Sequence, residues 1–240
     1  MEQTMERAGN FLDRGEEAAG TGRVENRVVT LTAPASQAAE QYRTLYYRLE
    51  RLRMLKPMRL VALTSAVPGE GKTLTAVNLA LTAARAAPER RILLVDADLR
   101  RGRVAGTLGI RGRPGLSEIL SGECQIHDAV RRFHGTRLAV VPAGGTAEEP
   151  TRMLSSARMR ELITAMREGF DEVYLDLPPA LPFADASILG AQMDGLLMVV
   201  RAHRTSSRVV EEALDVMGGT PLVGCVLNGA QAVMPGYGAR

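Results

Sequence analysis

Aromatic residues are scarce in this sequence: they make up 4% of the chain, and tryptophan is absent. The core must therefore consist mainly of valine, leucine, isoleucine, alanine and methionine, a composition that suits buried parallel strands covered by helices. Cysteine is scarce as well. Cys124 and Cys225 are far apart in sequence and show no Cys-x-x-Cys spacing, which favours two reduced, space-filling thiols over a disulfide or a metal site.

Long apolar runs are also missing. The run GLLMVV at 195–200 is far shorter than the roughly 20 residues that cross a bilayer, so the sequence predicts no transmembrane segment. The N-terminal stretch MEQTMERAGNFLDRGEEAAG carries several acids and does not resemble a secretory signal. These features predict a cytoplasmic protein, and a length of 240 residues predicts one domain with tails.

Lysine is rare, since only Lys56 and Lys72 among the 30 basic residues are lysines. The net charge of +3 is small, and the basic residues are spread along the chain without interleaved aromatic residues, so we expect no binding to nucleic acid. In a chain so biased toward arginine, a lysine inside a glycine-rich loop is a functional candidate. Lys72 is such a residue.

Apolar β-type runs alternate with helical patterns after residue 57. The predicted strands are RLVALTS, RILLVDAD, RLAVVPAGG, DEVYLDLPP, GLLMVVR and LVGCVLN. Helices are predicted from Thr73, across 151–168, and from about 205 to 217. Such alternation predicts an α/β fold of three layers, with a mostly parallel sheet and helices on both faces.

The tails and the domain differ in pattern. Residues 1–35 are polar and interrupted by glycine and proline, so we expect a flexible N-terminal tail, and residues 229–240 are expected to form a flexible C-terminal tail. The domain is predicted to span residues 36–228. It begins with a helix for which Ser36 is the expected N-cap and whose apolar positions recur at intervals of three and four. These positions are Ala38, Tyr42, Leu45, Leu49 and Leu52.

The stretch SAVPGEGKT at 65–73 has the form of a phosphate-binding loop. Read from Ala66, it matches A-x-x-x-x-G-K-T, with alanine in place of the usual first glycine, and it follows a predicted strand and opens a predicted helix. Backbone N–H groups and the helix N-terminus would surround phosphates, the Lys72 ammonium would reach the β and γ phosphates, and the Thr73 hydroxyl would ligate Mg²⁺. The predicted nucleotide-binding residues of this loop are Pro68, Gly69, Glu70, Gly71, Lys72, Thr73 and Leu74.

Three acids lie at the ends of predicted strands. Asp176 ends EVYLD, and Asp96 and Asp98 end RILLVDAD, two residues apart. In an extended segment both of the latter would face the same side, which could place two carboxylates beside a γ phosphate. Each acid alone is an ordinary strand-end residue, whereas three of them with a phosphate loop indicate phosphoryl chemistry that needs a metal.

Several segments together resemble the bacterial tyrosine kinases of capsule and exopolysaccharide systems, a family of deviant P-loop ATPases. The segments are EQYRTL, SAVPGEGKT, ILLVDADLRRG, GLSEILSGE, VVPAGG and YLDLPPALPFADASIL. They occur in order over about 40–228. The resemblance implies a P-loop NTPase fold and transfer of a phosphoryl group from MgATP to a tyrosine hydroxyl. Val67 stands where partition-type relatives carry an extra lysine, which favours the kinase branch.

The resemblance also implies roles for individual residues. Lys72, Asp96, Asp98 and Asp176 would be catalytic, with Asp96 accepting or orienting the tyrosine proton. Thr73, Asp98 and Asp176 would support Mg²⁺. Asn228 resembles the position that recognises the nucleotide base, although a turn-forming Asn-Gly is an equally simple interpretation.

Two departures from the family pattern bear on function. The assembly motif E-x-x-R-x-x-R is matched at Glu40 and Arg43, but Tyr46 occupies the third position, so a homo-oligomer formed through this helix and a helix that packs only on its own domain are both open. The family's tyrosine cluster at the C-terminus is reduced here to Tyr237, the candidate phosphoacceptor.

The resemblance implies a partner, an inner-membrane polysaccharide co-polymerase that activates the kinase. Without a transmembrane segment in this sequence, we expect that partner to be a separate chain and the protein to be cytoplasmic, peripheral at the inner face of the membrane. Two alternatives to the kinase stay open. One is a P-loop ATPase that is not a kinase and whose hydrolysis switches its association with a membrane partner, and the other is a nucleotide-gated regulatory subunit with little chemistry.

Overall fold

The computed structural model describes residues 16–17, 22–133 and 135–230. Its strands in these residues are β1 (Glu16–Glu17), β2 (Leu60–Ser65), β3 (Ile92–Asp96), β4 (Arg131–Arg132), β5 (Leu138–Val141), β6 (Glu172–Asp176), β7 (Gly195–Arg201) and β8 (Leu222–Asn228). They form one sheet in the order β1-β4-β5-β3-β6-β2-β7-β8. The six strands from β5 to β8 in this order are parallel, whereas β4 runs antiparallel to β5.

Helices cover both faces of this sheet. The helices of the described residues are α1 (Val29–Thr32), α2 (Gln37–Arg53), α3 (Lys72–Ala86), α4 (Val104–Leu108), α5 (Leu116–Ser121), α6 (Ile126–Ala129), α7 (Pro150–Leu154), α8 (Ala157–Gly169), α9 (Asp185–Gly190) and α10 (Ser207–Val216). None of these helices is long and apolar enough to span a membrane.

Two apolar clusters lie on opposite sides of the sheet. On one side, Val61, Leu63 and their neighbours pack against α2, α3 and α4. On the other side, Leu60 and Ala62 belong to a cluster that includes residues of α5, α7, α8, α9 and α10. Because alternate side chains of a strand point to opposite faces, β2 is buried along its whole length. The prediction of a three-layer α/β domain with a mostly parallel sheet is confirmed.

The helix α2 packs on its own domain. The Ser36 side chain accepts a hydrogen bond from the Ala39 backbone N–H at 3.2 Å, which confirms the expected N-cap. Tyr46 and Leu49 are 2% and 1% exposed and join the cluster around α3. Ala38, in contrast to its expected place in the apolar stripe, is exposed, and the neighbouring Ala39 is buried instead.

A buried acid fixes the end of α2 to the sheet. Glu172, at the start of β6, is 1% exposed. Its carboxylate lies 2.7 Å from Arg53 Nη1 and 2.8 Å from Arg90 Nη1, and it accepts a hydrogen bond from the Tyr174 hydroxyl at 2.6 Å. A buried carboxylate requires such pairing. The inward-facing residues of α2 therefore pack and form ion pairs within their own domain.

The described part of the N-terminal segment differs from the flexible tail that we expected over residues 1–35. Val28 is fully buried, and the backbone N–H of Thr30 donates a hydrogen bond to Asn78 Oδ1 on α3 at 3.0 Å. The buried Val28 and Thr30 hold α1 against α3, which explains the order that composition did not reveal. Residues 1–15, 18–21 and 231–240 lie outside the described residues, so the rest of both expected tails stays a prediction.

The two cysteines are free thiols, as expected. Cys124 is half-buried, but Cys225 is exposed and so does not fill space in the core. Its exposure follows from its place on β8, which is an edge strand in the part of the sheet that the structure describes.

Candidate functional site

Three strands that carry the predicted motifs lie side by side. The order β3-β6-β2 places β6 between the strand that ends at Asp96 and the strand that leads into the glycine-rich loop. Asp96 and Asp176 are paired in register, and Leu63 pairs with Asp176 on the other side. Because the strands are parallel, the loop and the acids meet at one edge of the sheet.

The glycine-rich loop has the backbone that its sequence requires. Gly69 and Gly71 have φ values of +87° and +94°, which L side chains rarely adopt. At Gly71 a Cβ atom would lie 2.0 Å from Asn228 Nδ2, so a larger residue would displace the Asn228 side chain from the loop. The helix α3 begins at Lys72, directly after this turn, and its first backbone N–H groups are free to face an anion.

Lys72 lies between two of the acids. Its Nζ is 2.9 Å from Asp98 Oδ2 and 3.4 Å from Asp176 Oδ1. The neighbouring Thr73 hydroxyl donates a hydrogen bond to Asp176 Oδ2 at 2.5 Å. Four of the predicted site residues thus form one connected group around the start of α3.

Asp96 lies beside this group, but its oxygens accept backbone hydrogen bonds. Oδ1 accepts from the Asp98 N–H at 3.2 Å, and Oδ2 accepts from the Val104 N–H at the start of α4 at 2.9 Å. Asp98 Oδ1 in turn accepts from the Arg101 N–H at 3.0 Å. These bonds fix the direction of both carboxylates.

The charges of this group are strongly coupled. Burial alone would lower the pKa of Lys72, but the carboxylates of Asp176 and Asp98 outweigh burial, and the pKa lies above its ordinary value. Burial raises the pKa of Asp176, although Lys72 and Thr73 act against the rise. Burial and the charge of Asp176 raise the pKa of Asp96 to about 7. Three acids compete for one lysine, so an added cation would be stabilised here.

The residues present fit a magnesium ion that is shared with phosphates. The Thr73 hydroxyl and the Asp176 carboxylate are the hard oxygen donors that Mg²⁺ prefers. Among the described residues, no group of three or more histidine, cysteine, aspartate or glutamate side chains could hold a metal by itself. Most ligands would therefore come from phosphate and water, as is usual for Mg²⁺ at a nucleotide.

Known proteins resemble this chain over most of its length. A family model described as "AAA domain" matches residues 58–217. Tyrosine-protein kinase YwqD of Bacillus subtilis (strain 168) is 34% identical over 209 residues, which cover 86% of this chain and 87% of YwqD. This chain belongs to the bacterial tyrosine-protein kinases. The family resemblance expected from the motifs is thus confirmed.

Two further relatives of this kinase differ in size. The succinoglycan biosynthesis transport protein ExoP of Rhizobium meliloti (strain 1021) is 34% identical over 205 residues, which cover 83% of this chain and 26% of ExoP. The solved kinase domain of the Escherichia coli tyrosine kinase ETK superposes with a TM-score of 0.79 at 29% identity and covers 88% of this chain and 84% of that domain. The same domain therefore makes up most of YwqD and about a quarter of the longer ExoP chain.

The remaining predicted site residues of the kinase lie around the loop. Pro68 and Gly69 are exposed on its rim, and Leu74, in the first turn of α3, is half-buried against the core. Asn228 ends β8, and its amide Nδ2 donates a hydrogen bond to the Glu70 carbonyl oxygen at 2.8 Å. Asn228 thus lies beside the phosphate loop, where it supports the loop backbone.

Sequence reasoning missed a second group at the same edge of the kinase. Arg100 Nε lies 2.7 Å from the fully buried Asp185, and the Thr151 hydroxyl donates a hydrogen bond to Asp185 at 2.5 Å. The Arg100 guanidinium also stacks 4.0 Å from the centre of the Phe183 ring. This group joins the segments that follow β3, β5 and β6. Arg100 follows Asp98 by two residues, which is the signal that could have drawn attention to it.

The side chain of Glu70 was also missed, because only its backbone N–H was expected to matter. The residue is 2% exposed, and its carboxylate accepts hydrogen bonds from groups inside and outside the loop. No pattern in the sequence pointed to Thr205, which is one of these donors.

Proposed function

We propose that this protein transfers the γ-phosphoryl group of MgATP to a tyrosine hydroxyl, and that this reaction regulates the polymerisation and export of an exopolysaccharide or capsule. One observation carries the proposal. Lys72 opens the helix after the phosphate loop, and its Nζ lies within 3.4 Å of both Asp98 and Asp176, in a chain that belongs to the bacterial tyrosine-protein kinases. Such a group suits positioning and charge neutralisation, which are the main demands of phosphoryl transfer.

The roles of the loop residues follow from these contacts. MgATP supplies the phosphoryl group and the positive charge of the metal. The backbone N–H groups of the loop and of the first turn of α3 bind phosphate oxygens, and Lys72 exchanges its carboxylate partners for phosphate oxygens. Thr73 and Asp176, which already share a hydrogen bond, would hold the metal together with Asp98.

Asp96 is our candidate for the group that accepts or orients the proton of the acceptor tyrosine. Its place at the end of β3, paired in register with Asp176, supports this role. The hydrogen bonds from the backbone N–H groups of Asp98 and Val104 hold its carboxylate in one orientation. A positioned carboxylate of this kind is what general base catalysis requires.

Labelled ATP distinguishes the kinase from an ATPase of the same fold. Purified protein is incubated with γ-labelled ATP and Mg²⁺, and the products are separated into labelled protein and free phosphate. We expect label on tyrosine. Free phosphate with unlabelled protein, also after addition of a membrane partner, would instead support an ATPase whose hydrolysis switches association with that partner.

Tyr237 is our candidate phosphoacceptor, although it lies outside the described residues. The chain has five tyrosines. In the described part, Tyr46 and Tyr174 are buried and Tyr42 is half-buried, whereas Tyr47 on α2 is 58% exposed. Burial therefore disfavours Tyr42, Tyr46 and Tyr174 as phosphoacceptors. The exposed Tyr47 is the matched control.

The acceptor is tested with two phenylalanine variants. We expect Tyr237→Phe to lose most of the incorporated label and Tyr47→Phe to keep it. Label that stays on the Tyr237→Phe protein and maps to Tyr47 would contradict the assignment. Label that appears only on an added tyrosine-containing protein would place the acceptor on a partner.

We also propose that a separate inner-membrane polysaccharide co-polymerase recruits and activates the protein at the inner face of the membrane. The match to 26% of ExoP, a protein named for succinoglycan biosynthesis and transport, supports a link to such a system. The test adds membrane vesicles with and without the co-polymerase to the purified protein. A higher phosphorylation rate and co-sedimentation are expected only in its presence, and equal values in both samples would contradict the proposal.

A further inference from the structure

The phosphate loop contains an acid, which is unfavourable for a loop that binds an anion. Glu70 lies between Gly69 and Gly71 and is 2% exposed. A carboxylate near a triphosphate weakens nucleotide binding by electrostatic repulsion, so Glu70 must have a compensating structural role. Its contacts suggest what that is.

The Glu70 carboxylate bonds the loop to itself and to a neighbouring strand. Oε2 accepts a hydrogen bond from the Val67 N–H at 2.9 Å, within the loop. Oε1 accepts from the Arg201 N–H at the end of β7 at 3.1 Å and from the Thr205 hydroxyl at 2.5 Å. All three donors are directed at one buried carboxylate, so these protein hydrogen bonds stabilise its negative charge.

The backbone of Glu70 is held as well. Its carbonyl oxygen accepts a hydrogen bond from Asn228 Nδ2, at the end of β8. The flanking Gly69 and Gly71 allow the positive φ values of the loop, but glycine also allows many other conformations. The loop therefore needs restraints from outside, and Glu70 receives them through both its side chain and its backbone.

The conformation of the turn after β7 places the Thr205 hydroxyl where it restrains Glu70. The backbone N–H groups of Arg204 and Thr205 both donate to the Arg201 carbonyl oxygen, at 3.3 and 3.1 Å. Within this turn His203 has a φ of 58°, in the left-handed region that a residue with a side chain rarely adopts. A backbone conformation of this kind persists where the surrounding contacts require it. Here it brings the Thr205 hydroxyl to Glu70.

We infer that Glu70 is a positioning residue, whose carboxylate, held by Thr205 and the end of β7, preforms the phosphate loop for the nucleotide. The inference rests on the nucleotide binding proposed above and adds to it a link between the loop and the turn 201–205. Nucleotide affinity then depends on a hydroxyl that touches no phosphate-loop backbone atom in the described contacts. Because binding free energies are linked, a change in that turn alters nucleotide binding, and nucleotide binding alters the turn.

The test removes the hydroxyl and leaves the charge of Glu70 in place. Thr205→Val has nearly the shape of threonine without the donor, and Thr205→Ser keeps the donor. Thr164→Val is the matched control, since Thr164 is exposed on α8 and its hydroxyl donates a hydrogen bond within its own helix, to the Arg160 carbonyl oxygen at 3.1 Å. Each full-length variant is titrated with fluorescent MgADP, and hydrogen exchange of the loop amides is measured without nucleotide.

We expect Thr205→Val to weaken MgADP binding by about tenfold, the ratio expected for loss of one hydrogen bond to a charged group, and to speed exchange at residues 67–71. In kinase assays its KM for ATP should rise more than its kcat falls. Thr205→Ser and Thr164→Val should behave like the unmodified protein. Glu70→Gln, which keeps the size but loses the charge, should also bind more weakly, despite the smaller repulsion.

Two results separate this inference from the proposed function. If unmodified protein binds MgADP while Thr205→Val and Glu70→Gln bind equally well, with unchanged exchange of the loop amides, the positioning role is wrong and the nucleotide site stands. If unmodified protein binds no MgADP, the proposed function fails. In that case the exchange data from protein without nucleotide still decide whether Thr205 and Glu70 hold the loop.

Discussion

Lys72 is the residue in which the structural and the chemical demands of the site meet. Without a nucleotide its ammonium compensates Asp98 and Asp176, and with a nucleotide it is needed at the phosphates. The two carboxylates raise its pKa above the ordinary value and so keep it charged before a nucleotide binds. The same side chain therefore stabilises the fold and takes part in the proposed transfer.

Lys72→Met should abolish transfer and also lower stability. Phosphotyrosine formation is expected to fall by at least about 10²-fold, as after loss of one charge-stabilising donor at an active site. Unfolding free energy should fall by about 3 kcal/mol, because the variant leaves buried acids without their cation. Autophosphorylation and thermal denaturation measure the two effects. Circular dichroism must show folded protein at the assay temperature, and retained autophosphorylation would contradict the role of Lys72.

Asp96 and Asp98 should separate in their effects although they are two residues apart. Asp98→Asn removes a partner of Lys72 and a proposed metal ligand, so we expect a higher Mg²⁺ concentration for half-maximal activity. Asp96→Asn should lower kcat by about 10²-fold at saturating Mg²⁺ and leave MgADP affinity close to that of the unmodified protein. Titrations of activity against Mg²⁺ and of binding against MgADP check both expectations. An unchanged Mg²⁺ requirement in Asp98→Asn would exclude it as a metal-holding residue.

At the scale of elements, apolar runs predicted the buried strands and failed where the chain is short and polar. The strands β2, β3, β6 and β7 were visible because each contains at least three consecutive apolar residues, all of them buried. The region 103–133 has three short helices and β4, and no periodic pattern reveals them. The predicted helix over 151–168 is two helices, because Ser156 caps the second one through its side chain.

The site was predictable to the extent that its residues follow strands or open a helix. Lys72, Thr73, Asp98 and Asp176 come together because parallel strands end at one edge, and this rule can be applied to a sequence. The contacts of Glu70 with Thr205 span 135 residues and depend on the turn after β7, which local patterns cannot specify. Distant side-chain contacts of this kind need the structure.

The helix α5 is held by an acid whose contribution depends on pH. The Glu118 carboxylate accepts hydrogen bonds from the N–H groups of Gly115 at 2.8 Å and Gly145 at 3.0 Å, and it pairs with Arg113. Burial alone would raise the pKa of Glu118, but the donors at Gly115 and Ser117 outweigh burial and lower it below its ordinary value of 4.5. Because the folded pKa is the lower one, the stabilisation is present above pH 4.5 and is lost as the pH falls through the folded pKa.

Glu118→Gln should therefore destabilise the protein at neutral pH by about 1.5–3 kcal/mol, the range for hydrogen bonds to a charged group. The difference from unmodified protein should shrink as the pH falls below 4.5. Urea denaturation at pH 7 and at acid pH measures it, and Glu161→Gln on the exposed side of α8 is the control. A difference that grows toward acid pH would contradict the direction of the pKa shift.

In the whole molecule, the two ends of the parallel strands have different roles. The carboxyl ends of the strands hold the phosphate loop and the acids, whereas the buried group around Glu172 fixes the end of α2 to the start of β6. Tyr46, at the third position of the family's assembly motif, is buried in the domain, and its hydroxyl oxygen lies 3.4 Å from Glu172 Oε1. Glu40 and Arg43 remain on the surface, with side chains 59% and 41% exposed, and form an ion pair with each other.

We predict that several copies of the protein assemble through Glu40 and Arg43. An exposed ion pair within one helix contributes about 0.5 kcal/mol or less, so replacing both residues by alanine should hardly change the melting temperature. If copies associate through this pair, the double variant should sediment as a smaller species than the unmodified protein at the same concentration and phosphorylate more slowly. Arg208 and Glu212 form a comparable exposed ion pair on α10, and their double alanine variant is the control. Equal sedimentation of all three proteins would mean that α2 serves its own domain and that the phosphoacceptor reaches the site by another arrangement.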